Sequence, residues 1–223
     1  MRRIACVLVG LISILALAPV PARADEAAVR ADDAANAFRA GVRLLREQKP
    51  HEAAEAFQKA ARLDSSYPYV SIYLGDALLQ LKKYDQALQC YWRSLASDPP
   101  VGGESFRALE GVGCAYLGFA TEPGNEDLTG PMKKKLIKDA ILCFDQVIKI
   151  SPKYAPVYNN RGRAYHLLGD ADRAITDFSK AIELDPASAD AYENRGWAWG
   201  DKGDRKRAEA DAARARELRA KKK

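Results

Sequence analysis

The side chains that could do chemistry in this chain are few and widely spaced. Its two histidines, His51 in a turn between helices and His166, lack a nucleophile or a second ligand at motif spacing. The cysteines beyond the N-terminal segment are Cys90, Cys114 and Cys143. They lack the close pairs of a zinc site, and we interpret them as small buried residues on helices. An odd number leaves at least one free or intermolecular thiol in an oxidising compartment. The pattern predicts a protein that is not an enzyme and holds no metal and no cofactor.

The composition is that of a soluble globular chain. Of 223 residues, 48% are hydrophobic and 29% are charged. This balance excludes an intrinsically disordered chain, a collagen-like chain and a membrane protein with several spans. The sequence shows neither a strand pattern nor a glycine-rich phosphate loop following a strand.

The first 24 residues have the order of a secretory signal peptide. Residues 1–3 carry two arginines, residues 4–18 form an uncharged run, and residues 22–24 read Ala-Arg-Ala. A signal peptidase requires small residues at these two alanine positions, so cleavage is predicted between Ala24 and Asp25. A membrane anchor is the alternative, but the 15-residue run falls short of the roughly 20 residues that span a bilayer. We expect an exported protein in a bacterial periplasm, with secretion as the alternative location.

Positive charge is concentrated at the C-terminus. The whole chain carries a net charge of +5, and removal of residues 1–24 lowers it to +2. Residues 202–223 carry +6, whereas residues 25–201 carry −4. The basic tail therefore offers an alternative function, weak binding to anionic membrane or cell-wall polymer. We interpret it instead as a solvated face, and we expect neither nucleic acid nor a membrane as a partner.

A set of small and aromatic residues recurs along the rest of the chain. Glycines interrupt apolar helical patterns at Gly41, Gly75, Gly113, Gly162 and Gly196. Alanines follow at Ala53, Ala87, Ala140, Ala174 and Ala208, and four residues after each alanine come Phe57, Tyr91, Phe144, Phe178 and Ala212. A glycine inside a helix costs about 1 kcal/mol relative to alanine, so its recurrence indicates close approach of a second helix. We expect the alanine to lie across from the glycine and the large residue to fill the space beside them.

One unit shows the recurring pattern most clearly, with Tyr158, Gly162 and Tyr165 in a first helix, then Ala174 and Phe178 in a second, and then Pro186. It resembles the 34-residue unit of the tetratricopeptide repeat (TPR) family. The resemblance implies an all-α fold, a right-handed α-α superhelix of about five helix hairpins. The units are placed at 34–67, 68–101, 106–154, 155–188 and 189–222, after a short lead-in at 25–33. The last helix has a thin apolar stripe, so we expect a basic polar cap.

The third unit departs from the pattern by 15 extra residues between its helices. Residues 121–130 read as a polar loop, and Pro131 suits the first turn of a helix. The second helix of this unit should therefore begin early and run to about Ile150. A partner-binding flap and a tolerated surface insertion are both compatible with residues 121–135.

In TPR proteins the first helices of successive units line a concave groove that holds a peptide or a helix of another protein. By register, the resemblance places these residues in the groove: Phe38, Val42, Tyr69, Ile72, Asp76, Glu110, Cys114, Asn159, Arg163, His166, Glu193 and Trp197. The first two units would offer an apolar anchor and the later units polar contacts. We expect a non-catalytic protein–protein interaction scaffold in the cell envelope. A self-assembling structural protein, and hence a homo-oligomer, is the alternative.

Overall fold

A computed structural model describes residues 24–67, 69–96, 105–123 and 128–221. Within these ranges the chain forms α-helices and no strand, as predicted. The helices are α1 (Ala24–Arg46), α2 (Pro50–Leu63), α3 (Val70–Gln80), α4 (Tyr84–Leu95), α5 (Ser105–Thr121), α6 (Gly130–Ile150), α7 (Ala155–Leu167), α8 (Ala171–Leu184), α9 (Ala189–Asp201) and α10 (Arg205–Ala220). None of the described helices combines the length and apolarity needed to cross a bilayer. The predicted signal peptide lies outside the described residues except for Ala24.

The ten helices form five antiparallel hairpins stacked in chain order. Helices α2, α4, α6 and α8 each contact the odd-numbered helix before them and the one after them, and α10 contacts α9. Successive odd helices also contact one another, whereas no contact joins successive even helices in the described ranges. The odd helices therefore form the inner wall of the superhelix and the even helices form its outer wall.

An aromatic ring of the second helix lies directly on the glycine of the first helix in four hairpins. A Cβ placed on any of these glycines would lie only 2.5–2.7 Å from a ring atom. The pairs are Gly41 with Phe57, Gly75 with Tyr91, Gly113 with Phe144, and Gly162 with Phe178. All four rings are fully buried. In these four hairpins the ring itself, rather than the expected alanine, lies nearest to the glycine, whereas in the fifth hairpin Ala208 lies nearest to Gly196.

The turns within four hairpins share one geometry. Their central residue has a positive φ, which is 59° at Gln48 and Lys82, 81° at Gly169 and 80° at Gly203. The following residue donates its N–H to the carbonyl five residues back, which closes the first helix in a Schellman motif. Glycine adopts this conformation without strain, whereas a residue with a Cβ loses roughly 1–2 kcal/mol. The first two turns are therefore strained relative to the last two.

Three helix boundaries bear on the predicted units. Helix α1 already begins at Ala24, so residues 25–33 belong to the first helix and form no separate lead-in. Helix α6 begins at Gly130 and ends at Ile150, which confirms the early start, and the Thr129 side chain accepts the N–H of Met132 at its N-terminus. His51 is the second residue of α2 rather than part of a turn.

Buried aspartates of α8 and α10 pair with arginines of the preceding helices. Arg161 donates from Nε and Nη2 to the two carboxylate oxygens of Asp177 at 2.8 and 2.7 Å, and from Nη1 to Asp145 at 2.7 Å. Arg195 makes the same bidentate pair with Asp211, at 2.8 Å for both bonds. Asp177 and Asp211 are 4% and 7% exposed, so each carboxylate depends on its arginine for charge compensation.

Candidate functional site

Along the middle of the inner wall, hydrogen bonds join successive odd helices. Asp76 of α3 accepts from the hydroxyl of Tyr91 at 2.8 Å and from Arg107 of α5 at 3.2 Å. Asn159 of α7 accepts from the side-chain amide of Asn194 in α9 at 2.9 Å. Asp76 and Asn159 are both predicted groove residues. In the structure they join neighbouring hairpins.

Glu110, another predicted groove residue, is half-buried at the centre of the wall. It accepts from the hydroxyl of Tyr154 at 2.9 Å and from Asn160 at 3.0 Å. Burial raises the pKa of Glu110, and these two hydrogen bonds oppose the rise. Asn160 also donates to the sulfur of Cys114 at 3.4 Å.

The three cysteines of the described ranges are free thiols on helices. Burial raises the pKa of Cys114 to about 12 and that of Cys143 to about 11, and it also raises the pKa of Cys90. Because only the thiolate is nucleophilic, thiols with such pKa values are unreactive near neutral pH. The cysteines behave as small packing residues.

The predicted apolar anchor of the first two hairpins is built into the core. Ile72 is 1% exposed and cannot line a groove, so this prediction is wrong. Phe38 packs against three neighbouring aromatic rings at centroid distances of 5.1–5.6 Å. Val42 and Tyr69 are half-buried against the same core cluster. The register of these residues places them at junctions between hairpins, where a neighbouring helix covers them.

An open cleft lies at the C-terminal end of the array, where α9 and α10 meet the end of α7. It encloses about 720 Å³. The lining residues are His166, Glu193, Gly196, Trp197, Gly200, Asp201, Ala208, Glu209, Ala212, Ala215 and Arg216. Three of them, His166, Glu193 and Trp197, are predicted groove residues. The Trp197 side chain stands at its edge and is 57% exposed.

The cleft exists because the fifth hairpin lacks the ring of the other four. Ala212 occupies the place of the aromatic residue, and the atoms nearest to a Cβ on Gly196 would be the carbonyl oxygen of Ala208 at 3.2 Å, the Cβ of Asp211 at 3.4 Å and the backbone nitrogen of Ala212 at 3.7 Å. Among the described helices, α9 alone packs against α10. The sequence already shows the missing ring at Ala212, but its consequence, an open cleft with a floor of glycine and alanine, was not predicted.

Charged side chains surround this cleft. Nε2 of His166 and Oδ2 of Asp201 lie 2.6 Å apart. Glu193 accepts from Arg219 at 3.0 and 2.7 Å, and these hydrogen bonds lower the pKa of Glu193. Arg163, the remaining predicted groove residue, is exposed on the inner wall. The described ranges contain no group of three or more side chains that could hold a metal ion.

Arginines of the basic last helix are engaged within the protein. Arg219 pairs with Asp190 as well as with Glu193, and Arg214 donates to Glu217 at 2.6 Å. The guanidinium of Arg207 lies 4.4 Å from the ring centroid of Trp199. These contacts leave less free positive charge on α10 than its composition suggests.

Models of repeat families match most of the described chain. Residues 38–101 and 143–176 match tetratricopeptide repeat models, and residues 162–203 match a TPR repeat model. TTC0263, a thermophilic TPR protein of Thermus thermophilus, has a similar structure, with a TM-score of 0.72 and 21% identity over 84% of this chain and 96% of that chain. MamA from residue 41 to its end, from Desulfovibrio magneticus RS-1, has a TM-score of 0.61 and 23% identity over 85% of this chain and 97% of that chain. These likenesses show a shared fold. No curated protein sequence matches this chain.

Proposed function

The chain belongs to the tetratricopeptide repeat family, and we propose that it is an exported, non-catalytic scaffold that receives a helix of a protein partner in its C-terminal cleft. Repeat proteins of this family are protein–protein interaction scaffolds. The observation that carries the proposal is the exposed ring of Trp197 beside a floor of glycine and alanine. A large aromatic side chain next to a closely approachable surface is typical of an energetically dominant contact at a protein interface.

The shape of the cleft favours a helix over an extended peptide. In each of the first four hairpins, the following odd helix packs onto the even helix. The cleft of the fifth hairpin is the place where the next odd helix would pack. The small residues on α9 and α10 let a helix approach closely there. The basic-tail alternative is less favoured, because Arg207, Arg214 and Arg219 already have partners within the protein.

A photo-cross-linking amino acid at position 197 tests this site. Position 213 is a matched control, because Ala213 is exposed but does not line the cleft. In cells that export the protein, we expect a discrete cross-linked protein from position 197 and none from position 213. Equal cross-linking from both positions, or none from position 197, would contradict docking in the cleft.

The proposal that the scaffold is exported rests on the charge and hydropathy pattern of residues 1–24. Signal-peptide cleavage after Ala24 would leave Asp25 as the first residue. Intact-mass spectrometry of the protein from the extracytoplasmic fraction should give a chain that begins at Asp25. A chain that retains residues 1–24 and remains in the cytoplasm would refute export.

A further inference from the structure

Three of the four junctions between the described hairpins follow one register, counted from the glycine of each first helix. The residue three places before that glycine contacts the residue two places before the next glycine. This relation joins Phe38 to Tyr73, Glu110 to Asn160, and Asn159 to Asn194. The ring of the intervening second helix meets the same partner position, which joins Phe57 to Tyr73 and Tyr91 to Gly111.

The two ends of the array complete this register when they are brought together. At the C-terminal end, Glu193 lies three places before Gly196, and Ala212 occupies the ring position. At the N-terminal end, Arg39 of α1 lies two places before Gly41. An α1 helix seated on α9 in the common register would therefore place Arg39 beside Glu193 and over Ala212. The long arginine side chain would fill the space of the missing ring, and its charge is opposite to that of the carboxylate.

The side chain of Arg39 is available for this contact. It is exposed, and its hydrogen bonds are local, to the carbonyl of Ala35 at 3.3 Å and to the side chain of Asn36 at 2.9 Å. Neither acceptor is a charged group, so contact with Glu193 would exchange weak partners for a carboxylate, which Arg39 would share with Arg219.

A second pair of positions in this register is also compatible with α1 docking on α9. Asp76, one place after its glycine, bonds Arg107, which lies six places before the next glycine. The equivalent residues at the two ends are Trp197 and Ala35. A small alanine opposite the exposed indole leaves room for the ring to lie against the incoming helix.

The N-terminal extension of α1 has the charge that this position requires. Residues 25–33 contain four acidic residues and one basic residue, and residues 27–33 are all exposed. An incoming odd helix runs antiparallel to α10, so its N-terminal end would lie near the last turns of α10. The exposed side chain of Arg216 lies in those turns, and that of Lys221, which donates to Glu217, lies directly after them. Opposite charges at this place favour the correct orientation of the two chains.

We propose that the helix received by the C-terminal cleft is α1 of a second copy of this chain, so that copies join head to tail; this identification rests on the docking function proposed above. Such a contact uses two different surfaces, the α1 face with Arg39 and the cleft with Glu193. Each added copy therefore uses one of its two surfaces and leaves the other free for the next copy. A head-to-tail contact that does not close into a ring produces open chains.

Charge exchange between Arg39 and Glu193 tests this contact by sedimentation velocity over a range of concentrations. The exported protein should form oligomers whose size grows with concentration. Arg39→Glu and Glu193→Arg should each weaken association roughly tenfold or more, and the double variant, which restores opposite charges across each junction, should recover it. Lys59→Glu is the control, because Lys59 is an exposed residue of α2 outside both proposed surfaces. Circular dichroism should show the same helicity in every variant.

Mixing the two single variants gives the sharper result. Arg39→Glu retains a native cleft and Glu193→Arg retains a native α1, and the carboxylate introduced at position 39 also meets the guanidinium introduced at position 193, so an equimolar mixture should form open chains in which the two variants alternate. A protein that stays monomeric at every concentration, or a double variant that fails to recover association, would overturn the second copy as occupant. If position 197 still cross-linked to a different protein, the docking function would stand without self-association.

Discussion

The glycine of each first helix should resist substitution only where a ring covers it. In Gly162→Ala, the new Cβ would lie 2.7, 2.8 and 3.1 Å from three atoms of the buried Phe178 ring. The ring must then shift by about 0.7 Å to restore ordinary contact, and such overpacking costs about 1–3 kcal/mol. The better helix propensity of alanine returns about 1 kcal/mol. The free energy of unfolding should therefore fall by about 1 kcal/mol, and by no more than about 2 kcal/mol.

Gly196→Ala is the matched control, because no ring lies on Gly196. The nearest atom to its Cβ would be a carbonyl oxygen at 3.2 Å, so most of the propensity gain of about 1 kcal/mol should remain. Urea unfolding followed by circular dichroism measures both variants. Hydrogen exchange by mass spectrometry would locate the change, because neighbouring repeats can unfold separately. If Gly162→Ala is as stable as Gly196→Ala, the ring contact does not explain the recurrence of glycine.

Three further predictions concern other contacts. Arg161→Met should lower the free energy of unfolding by about 3–5 kcal/mol, because it leaves the buried Asp177 carboxylate unpaired; a loss below about 1 kcal/mol in urea unfolding would contradict this role. Lys82→Gly should raise that free energy by about 1 kcal/mol by relieving the left-handed turn, and an unchanged value would show that the turn is unstrained. Burial raises the pKa of Glu110 above 4.5, so the folded state holds this proton more tightly than the unfolded state. The contribution of Glu110 to the free energy of unfolding therefore falls as the pH rises through the unfolded-state and then the folded-state pKa of this carboxyl. Glu110→Gln should therefore gain stability relative to the native protein between pH 4 and pH 7 in thermal melts, and a constant difference would refute the shift.

The repeat architecture could be predicted because its signals are local in sequence. Small and aromatic residues recur at fixed spacing, and they specify helix hairpins wherever they occur. The early start of α6 followed from Pro131 and the loop before it. The partner of each glycine could not be predicted, because it depends on how a ring four residues beyond the alanine turns between two helices.

The candidate site was predicted only in part, because the position of a residue in the repeat does not determine whether a neighbouring helix buries its side chain. Ile72 occupies a groove position in the repeat pattern, but the next hairpin covers it. Trp197 occupies an equivalent wall region with no following helix, so it remains exposed. The buried pairs of Arg161 and Arg195 were also missed, although an Arg-Gly dipeptide recurs 34 residues apart at these positions. A search for charged residues repeated at the unit length would have found them.

Hydrogen exchange measured at low and high protein concentration tests whether the open C-terminal end of the array receives α1 of a second copy. Raising the concentration should slow exchange in α9, in α10 and in the part of α1 that contains residues 24–39, with no change in α4 or α6. Protection confined to other helices, or identical exchange at every concentration while oligomers form, would contradict it.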